Sequence, residues 1–285
     1  MNWMMSLAAF FARLLPAPFK RMLYRIPVLS NILRKALNRA APVGMSQVLV
    51  AAGILKGYSL MLDLQSEKDY WLGTYELELQ AALQELVKES MTAYDVGANI
   101  GYISLMLARL VGETGRVFAF EALPANANRW HTNADLNQLS DRMQLFSGAV
   151  TNSTTPVRFL VHNSGGMGKA VGSAGRDNSY LNEIEVPGIN LDEFVFGQGN
   201  PAPQVIKMDI EGGEVLALPG MERLLKEMHP VLLMELHGQE SSQTAWQILT
   251  GLGYKMCWMK PGFPVVTGLE ALDWKAYLVA LPESK

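Results

Sequence analysis

Two short stretches of this 285-residue sequence concentrate the groups that could do chemistry. Asp95-Val96-Gly97-Ala98-Asn99-Ile100-Gly101 sets a carboxylate beside a glycine turn. Lys207-Met208-Asp209-Ile210-Glu211-Gly212-Gly213-Glu214 gathers a lysine and three carboxylates, and Glu121, Glu235 and His237 stand apart from both. Thr92–Val96 reads as a buried strand that runs into the first stretch, and a helix is expected from Tyr102. The turn therefore lies at the carboxyl end of a strand, where open α/β sheets form their ligand crevice. Gly97 can take a positive φ and carries no side chain to block a ligand. Gly101 lets a helix start come close, with free N–H groups able to receive a carboxylate or phosphate.

The ligand can be narrowed further. A dinucleotide fingerprint reads G-x-G-x-x-G, whereas Gly97-x-Asn99-x-Gly101 lacks the middle glycine that admits a pyrophosphate. Asp95 adds negative charge there, which favours a cationic or amine-bearing ligand. Glu121 ends the next expected strand and can accept hydrogen bonds from ribose hydroxyls. A nucleoside with an amino group and little phosphate fits this pattern, and S-adenosylmethionine is such a molecule. A Walker-type phosphate loop fails at Gly168-Lys169, because Ala170 follows and Asn163 stands in place of the first glycine.

Asp209 ends a later strand and should face the crevice. Glu211 follows on the same side if the chain stays extended. His237, after the strand that follows, is another candidate for accepting a proton. Other roles stay open at this level. Asp209 could cap a helix or hold an amine, Glu214 could favour a helix's positive end, Glu235 could pair with Lys207, and His237 could cap a loop. Asp209, Glu211 and Glu214 could also offer oxygens to Mg²⁺ or Ca²⁺, but one short acidic cluster is not a complete ligand set, so no metal is assigned.

The elements that must position these groups alternate. After a strand over Tyr58–Leu64 and a helix over Tyr75–Ser90, the pattern predicts strand Thr92–Val96, helix Tyr102–Leu110, strand Arg116–Glu121, helix Ala125–Asn137 and strand Met143–Val150. It resumes with strand Gln204–Ile210, mostly helix over Gly213–Glu227, strand Pro230–Leu236 and helix Ser242–Gly251. Such alternation means βαβ units and a parallel sheet. Tyr254–Met259 and Trp274–Leu281 have no helical pattern between them, which predicts a closing antiparallel pair. Strands Pro156–Val161 and Leu181–Val186 flank a Gly/Ser/Asn-rich loop, His162–Asn178, with the composition of a binding lid or a hairpin tip.

Charge divides the chain. Residues 1–62 carry eight basic side chains and no acid, while the remainder holds 16 basic and 27 acidic ones. The basic part alternates with apolar clusters broken by Pro16, Pro18 and Pro27. It reads as a mostly helical region over 1–56, distinct from a catalytic domain over 57–285. Its first 40 residues could lie on an anionic membrane surface or simply pack on the domain. The apolar runs are about half the roughly 20 residues needed to cross a bilayer. The single cysteine, Cys257, excludes a disulfide and a cysteine-based zinc site. A cytoplasmic protein, peripheral at most to the inner face of the membrane, is expected.

With the Lys207–Glu214 string the chain resembles the FkbM-type family of S-adenosylmethionine-dependent methyltransferases, from about Gly57 to Gly253. Gly73-Thr74-Tyr75-Glu76, the Asp95–Gly101 turn, Phe120-Glu121, Met234-Glu235-Leu236-His237 and Leu252-Gly253-Tyr254 carry the likeness. Ala122 and Gly213 depart from a usual proline and alanine without removing a needed group. The resemblance implies a Rossmann-like class I fold, with a mostly parallel seven-stranded sheet, helices on both faces and one reversed strand. It implies cofactor contacts from Tyr75, Glu76, Asp95, Gly97, Asn99, Gly101, Glu121, Ala122, Ala149 and Asp209, and catalytic roles for Asp209, Glu211 and His237. The implied reaction is methyl transfer to a hydroxyl of a sugar, glycolipid or natural product, with no nucleic-acid partner. A cofactor-binding module without turnover and an NAD-dependent oxidoreductase are the alternatives.

Overall fold

The computed structural model describes residue 10 and residues 41–162, 166–175 and 180–283. The expected helical arm over 1–40, and parts of the expected loop over His162–Asn178, lie outside these residues.

The described chain opens with an antiparallel hairpin, β1 (Met45–Leu49) against β2 (Ser59–Asp63). Two helices follow, α1 (Lys68–Leu72) and α2 (Leu77–Leu86). The βαβ run comes next: β3 (Thr92–Val96), α3 (Tyr102–Leu110), β4 (Arg116–Glu121), α4 (Pro124–Leu136) and β5 (Met143–Ser147). Short strand β6 (Ala149–Val150) precedes β7 (Val157–His162), β8 (Gly168–Ala170), β9 (Tyr180–Val186) and β10 (Gly188–Ile189). The remainder is β11 (Val205–Met208), α5 (Glu214–Ala217), α6 (Glu222–Met228), β12 (Val231–His237), α7 (Gln239–Gly251), β13 (Tyr254–Trp258) and β14 (Lys275–Pro282).

Seven strands form the main sheet in the order β13-β14-β12-β11-β3-β4-β5. β12, β11, β3, β4 and β5 pair in parallel, and β14 runs against both of its neighbours. The closing antiparallel pair is as the sequence implied. These strands bury both faces, so they read as apolar runs rather than as alternation. Ala93, Val117 and Leu233 join the core under α2, α3 and α4, whereas Tyr94, Phe118 and Leu232 join the core on the opposite face.

Several expected boundaries shift for physical reasons. The division at Gly57 falls inside the β1–β2 hairpin, and Val50, Ala51, Ala52 and Leu55 are buried in the main core. These residues pack in the same core as the helices that follow. The strand expected over Met143–Val150 breaks at Gly148, where a Cβ would stand 2.6 Å from the Pro187 carbonyl oxygen. Beyond the break, β6 leaves the main sheet and pairs with β10. The helix expected over Gly213–Glu227 is split around Pro219-Gly220 into α5, a 3₁₀ turn and α6. Within the expected loop, β8 pairs with β7, making a three-stranded antiparallel sheet β8-β7-β9. No helix among the described residues is long and apolar enough to cross a membrane.

Candidate active site

A cavity of about 350 Å³ opens over the carboxyl ends of β3, β4 and β11. This is the size range of small-ligand sites. The turn after β3 supplies Gly97, Ala98 and Asn99, β4 supplies Phe120 and Glu121, and the segment after β11 supplies Asp209 and Glu211.

The glycine turn is forced by packing. Gly97 has φ +80°, and a Cβ there would lie 1.9 Å from the Asp209 carbonyl oxygen. Its missing side chain therefore admits the neighbouring strand end, which is a different reason from the ligand clearance expected from sequence. Gly101, at φ +89°, starts α3, and a Cβ on it would meet the Trp130 ring at 2.9 Å. Gly101 shapes the turn and does not line the cavity.

Glu121 is anchored by the same turn. One carboxylate oxygen accepts the Asn99 N–H at 2.8 Å, and the other accepts the Leu123 N–H at 2.8 Å. The Asn126 amide adds a longer bond of 3.4 Å. Burial raises the Glu121 carboxyl above its usual range, and these three donors pull it back. Its carboxylate is thus fixed on the cavity wall, and Ala122 and Ala149 line the wall nearby.

Asp95 behaves differently from expectation. It is fully buried and does not line the cavity. One oxygen accepts the Ser104 hydroxyl at 2.5 Å, and the other lies 3.4 Å from Lys207 Nζ. Trp130 donates its indole N–H to the Ser104 hydroxyl at 2.9 Å, and Lys207 also donates to the Gly97 carbonyl at 3.0 Å. Asp95 thus ties β3 to α3 and β11, and the carboxylates facing the cavity are Glu76, Glu121, Asp209 and Glu211. The pairing of Glu235 with Lys207 considered from sequence gives way to Lys207–Asp95, while Glu235 bonds to His237 and Lys275.

Tyr75 and Glu76 sit ahead of α2, and Glu76 has φ 47°. Both line the cavity beside Tyr70 and Tyr102, whose ring centres are 4.6 Å apart. Burial pushes the Tyr70, Tyr75 and Tyr102 phenols up, so they are neutral donors at ordinary pH. Burial and the charge of Asp209 push Glu76 up to about 7.

The three expected catalytic residues come together. His237 is buried and its Nδ1 lies 3.8 Å from Asp209 Oδ1, while its Nε2 lies 3.8 Å from Glu211 Oε2. The same Nε2 is 2.8 Å from Glu235 Oε1, which Lys275 also contacts. Burial raises Asp209 to about 6, with Lys207 opposing and Glu235 reinforcing. Burial alone would lower His237, but the bond to Glu235 and the charges of Asp209 and Glu211 outweigh it and raise the imidazole. Glu214, expected beside Asp209, is buried with its oxygens on the Ile210 N–H and the Ser241 hydroxyl.

The three-stranded sheet covers one side. Phe159, Met167 and Ala170 line the cavity, and Asn126 donates to the Gly166 carbonyl at 3.1 Å. The Ala174 N–H donates to the Gly212 carbonyl, docking this sheet's loop on the segment after Asp209. Asn126, Tyr70, Tyr102 and the β7–β8 residues were missed from sequence. The one available signal was the glycine-rich loop, whose composition marked a lid without identifying the side chains it would present.

The chain is similar to several known proteins. The chain is 26% identical over 204 residues to a hexuronic acid methyltransferase, AglP, of Haloferax volcanii, covering 69% of this chain and 78% of that protein. A crystal structure of a methyltransferase FkbM from Methylobacillus flagellatus KT is 16% identical with TM-score 0.41, covering 76% of this chain and 53% of that one. An S-adenosylmethionine-dependent O-methyltransferase from Thermotoga maritima is 15% identical with TM-score 0.45, covering 74% of this chain and 67% of that one. The parallel sheet with its one reversed strand is the class I methyltransferase arrangement that the sequence resemblance implied. Residues 95–256, more than half the chain, match the methyltransferase FkbM domain, and the protein belongs to the FkbM family of S-adenosylmethionine-dependent methyltransferases.

Proposed function

We propose that this methyltransferase binds S-adenosylmethionine in the cavity and methylates a hydroxyl of a sugar, free or lipid-linked. The observation that carries the reading is one cavity holding two separate kinds of carboxylate. Glu121 ends β4 and Asp209 follows β11, two strands away across β3, or about 10 Å at ordinary strand spacing. A nucleoside can hydrogen-bond at the first while an acceptor approaches the second. The likeness to a hexuronic acid methyltransferase supports a sugar acceptor.

The residues fit the methyl donor. Glu121 is held with lone pairs still free for ribose hydroxyls, Asn99 and Asn126 flank it, and Glu76 offers negative charge to an amine. When bound, the donor supplies a methyl on positively charged sulfur, and transfer forms an O–CH₃ bond as the S–CH₃ bond breaks with its electron pair left on sulfur. The chain's own task is alignment, which can save roughly 7–11 kcal/mol of barrier. The hydroxyl proton passes to a basic group at the rim that carries Asp209, Glu211 and His237.

Transfer of labelled methyl from S-adenosylmethionine to a panel of sugars, uronic acids and lipid-linked glycans tests the proposal. Labelled O-methyl product supports it. Binding of the donor without transfer to any acceptor would favour a module without turnover, and binding of NAD(H) in place of the donor would overturn the reading. A narrower test addresses Glu121. Hydrogen bonds to charged groups contribute about 1.5–3 kcal/mol, so Glu121→Gln should weaken donor affinity roughly ten- to a hundredfold in calorimetry. Unchanged affinity in a folded variant would remove Glu121 from the donor site.

A further inference from the structure

We propose that Asp209, Glu211 and His237 form a site for one divalent metal ion, on the acceptor side of the cavity. The inference deepens the methyl-transfer reading and rests on it only for the ion's role. One ligand atom from each of the three residues lies within 4.8 Å of the other two. Within these groups two atoms are left without hydrogen-bond partners. Asp209 Oδ1 and His237 Nδ1 are both buried and neither makes a hydrogen bond. They face each other at 3.8 Å, too far for a hydrogen bond, and the His237 side chain is only 4% exposed. An ion about 2.0–2.4 Å from each would span that gap.

The opposite edge of the imidazole is arranged as metal-bound histidines usually are. Nε2 meets Glu235 Oε1 at 2.8 Å, with Glu211 Oε2 farther off at 3.8 Å, and Glu235 is in turn contacted by Lys275. A carboxylate on the outer nitrogen fixes the tautomer that leaves Nδ1 as a lone-pair donor toward the ion. The fold arrives at this set by exchanging one member of the trio visible in sequence. Glu214 is used by Ile210 and Ser241, and His237 takes its place from the adjacent strand β12. One imidazole with two carboxylates suits a first-row ion such as Mn²⁺, which takes both oxygen and nitrogen ligands, better than it suits Ca²⁺, which takes oxygens. Asp209 and Glu211 line the cavity, so the ion's remaining positions would face it. Those positions suit oxygens of an acceptor, either neighbouring hydroxyls or a sugar carboxylate. An acidic sugar would otherwise meet Glu76, Asp209 and Glu211 with Lys207 as the cation nearest to them among the described residues lining the cavity, and Lys207 is already paired with Asp95.

Mn²⁺ alone tests the site, using water-proton relaxation or electron paramagnetic resonance on the full chain without methyl donor. One Mn²⁺ per chain is expected. Glu211→Gln alters a partly exposed side chain and should weaken binding at least tenfold without disturbing the fold. Glu235→Gln, acting through His237, should weaken it about 10- to 100-fold. Donor affinity of the parent is measured in parallel, and thermal unfolding reports that the Glu211→Gln protein is folded. Absence of Mn²⁺ binding, or binding indifferent to both substitutions, would overturn the site while leaving the methyltransferase reading intact. Mn²⁺ binding without donor binding would have the reverse meaning.

Discussion

Asp209→Asn is expected to lower the rate of methyl transfer by about 10²–10⁴-fold while leaving donor affinity within about tenfold of the parent. The substitution keeps size and shape but removes the charge and one acceptor. Asp209 is the point where three features of the site meet. Its backbone carbonyl fills the space left by Gly97, its carboxylate lines the cavity, and its Oδ1 faces His237. Burial has raised its carboxyl to about 6, so it is ionised at neutral pH yet close enough to that pH to exchange a proton readily. Asn can neither take a proton nor offer a charge to a cation. Single-turnover measurement at saturating donor separates the possibilities. A large fall in the chemical step with binding intact places Asp209 at the acceptor. Loss of donor affinity with the chemical step preserved would instead make it the partner of the donor's amine, the other role open to it.

That residue also shows how far the sequence could be read. The position of Asp209 at a strand's carboxyl end followed from the alternation of buried strands and helices. Doubly buried strands such as Val205–Met208 announce themselves as short apolar runs. What surrounds Asp209 depended on strand order, which periodicity does not carry. β11 is flanked by β3 and β12, so Met208 sits opposite Val96 on one side and Met234 on the other. This register sets Asp209 beside Gly97 and sends Glu235 and His237 to the same rim, although the sequence separates them widely.

Asp95 illustrates the opposite outcome. A carboxylate next to a glycine turn suggested ligand contact, but side chains alternate across a strand, and Asp95 points into the layer occupied by Ser104 and Trp130. The serine that claims it lies on the next helix. Nothing in the spacing alone distinguishes a buried partner from a bound one. Elements whose burial is only partial were also hard to see. β1 alternates exposed and half-buried residues along a short hairpin, and its place in the core depends on β2 and the residues between them.

Glu214→Gln should change how stability depends on pH, by roughly 3 kcal/mol across the range from pH 4.5 to 8. Glu214 is fully buried at the start of α5, accepting from the Ile210 N–H at 3.2 Å and from the Ser241 hydroxyl at 2.9 Å. Burial is the largest influence on it and outweighs His237 and Ser241, raising the carboxyl from 4.5 to about 7. The folded protein therefore binds a proton here more tightly than the unfolded chain does. The stabilisation this gives is fully present below about pH 4.5 and is lost as pH rises through about 7. A shift of this size corresponds to roughly 3 kcal/mol at 1.36 kcal/mol per pH unit. Gln has no proton to lose, so this component vanishes. The difference in unfolding free energy, variant minus parent, should rise with pH between 4.5 and 7 and then level off. Any constant offset from the amide's own hydrogen bonds leaves that slope untouched. Denaturant titrations at a series of pH values measure it, and a flat difference would mean that Glu214 is ionised in the folded protein throughout. That result would also change the charge at the rim, because Glu214 feels His237 and Asp209. A neutral Glu214 leaves the charge of His237 to be met by Asp209, Glu211 and Glu235.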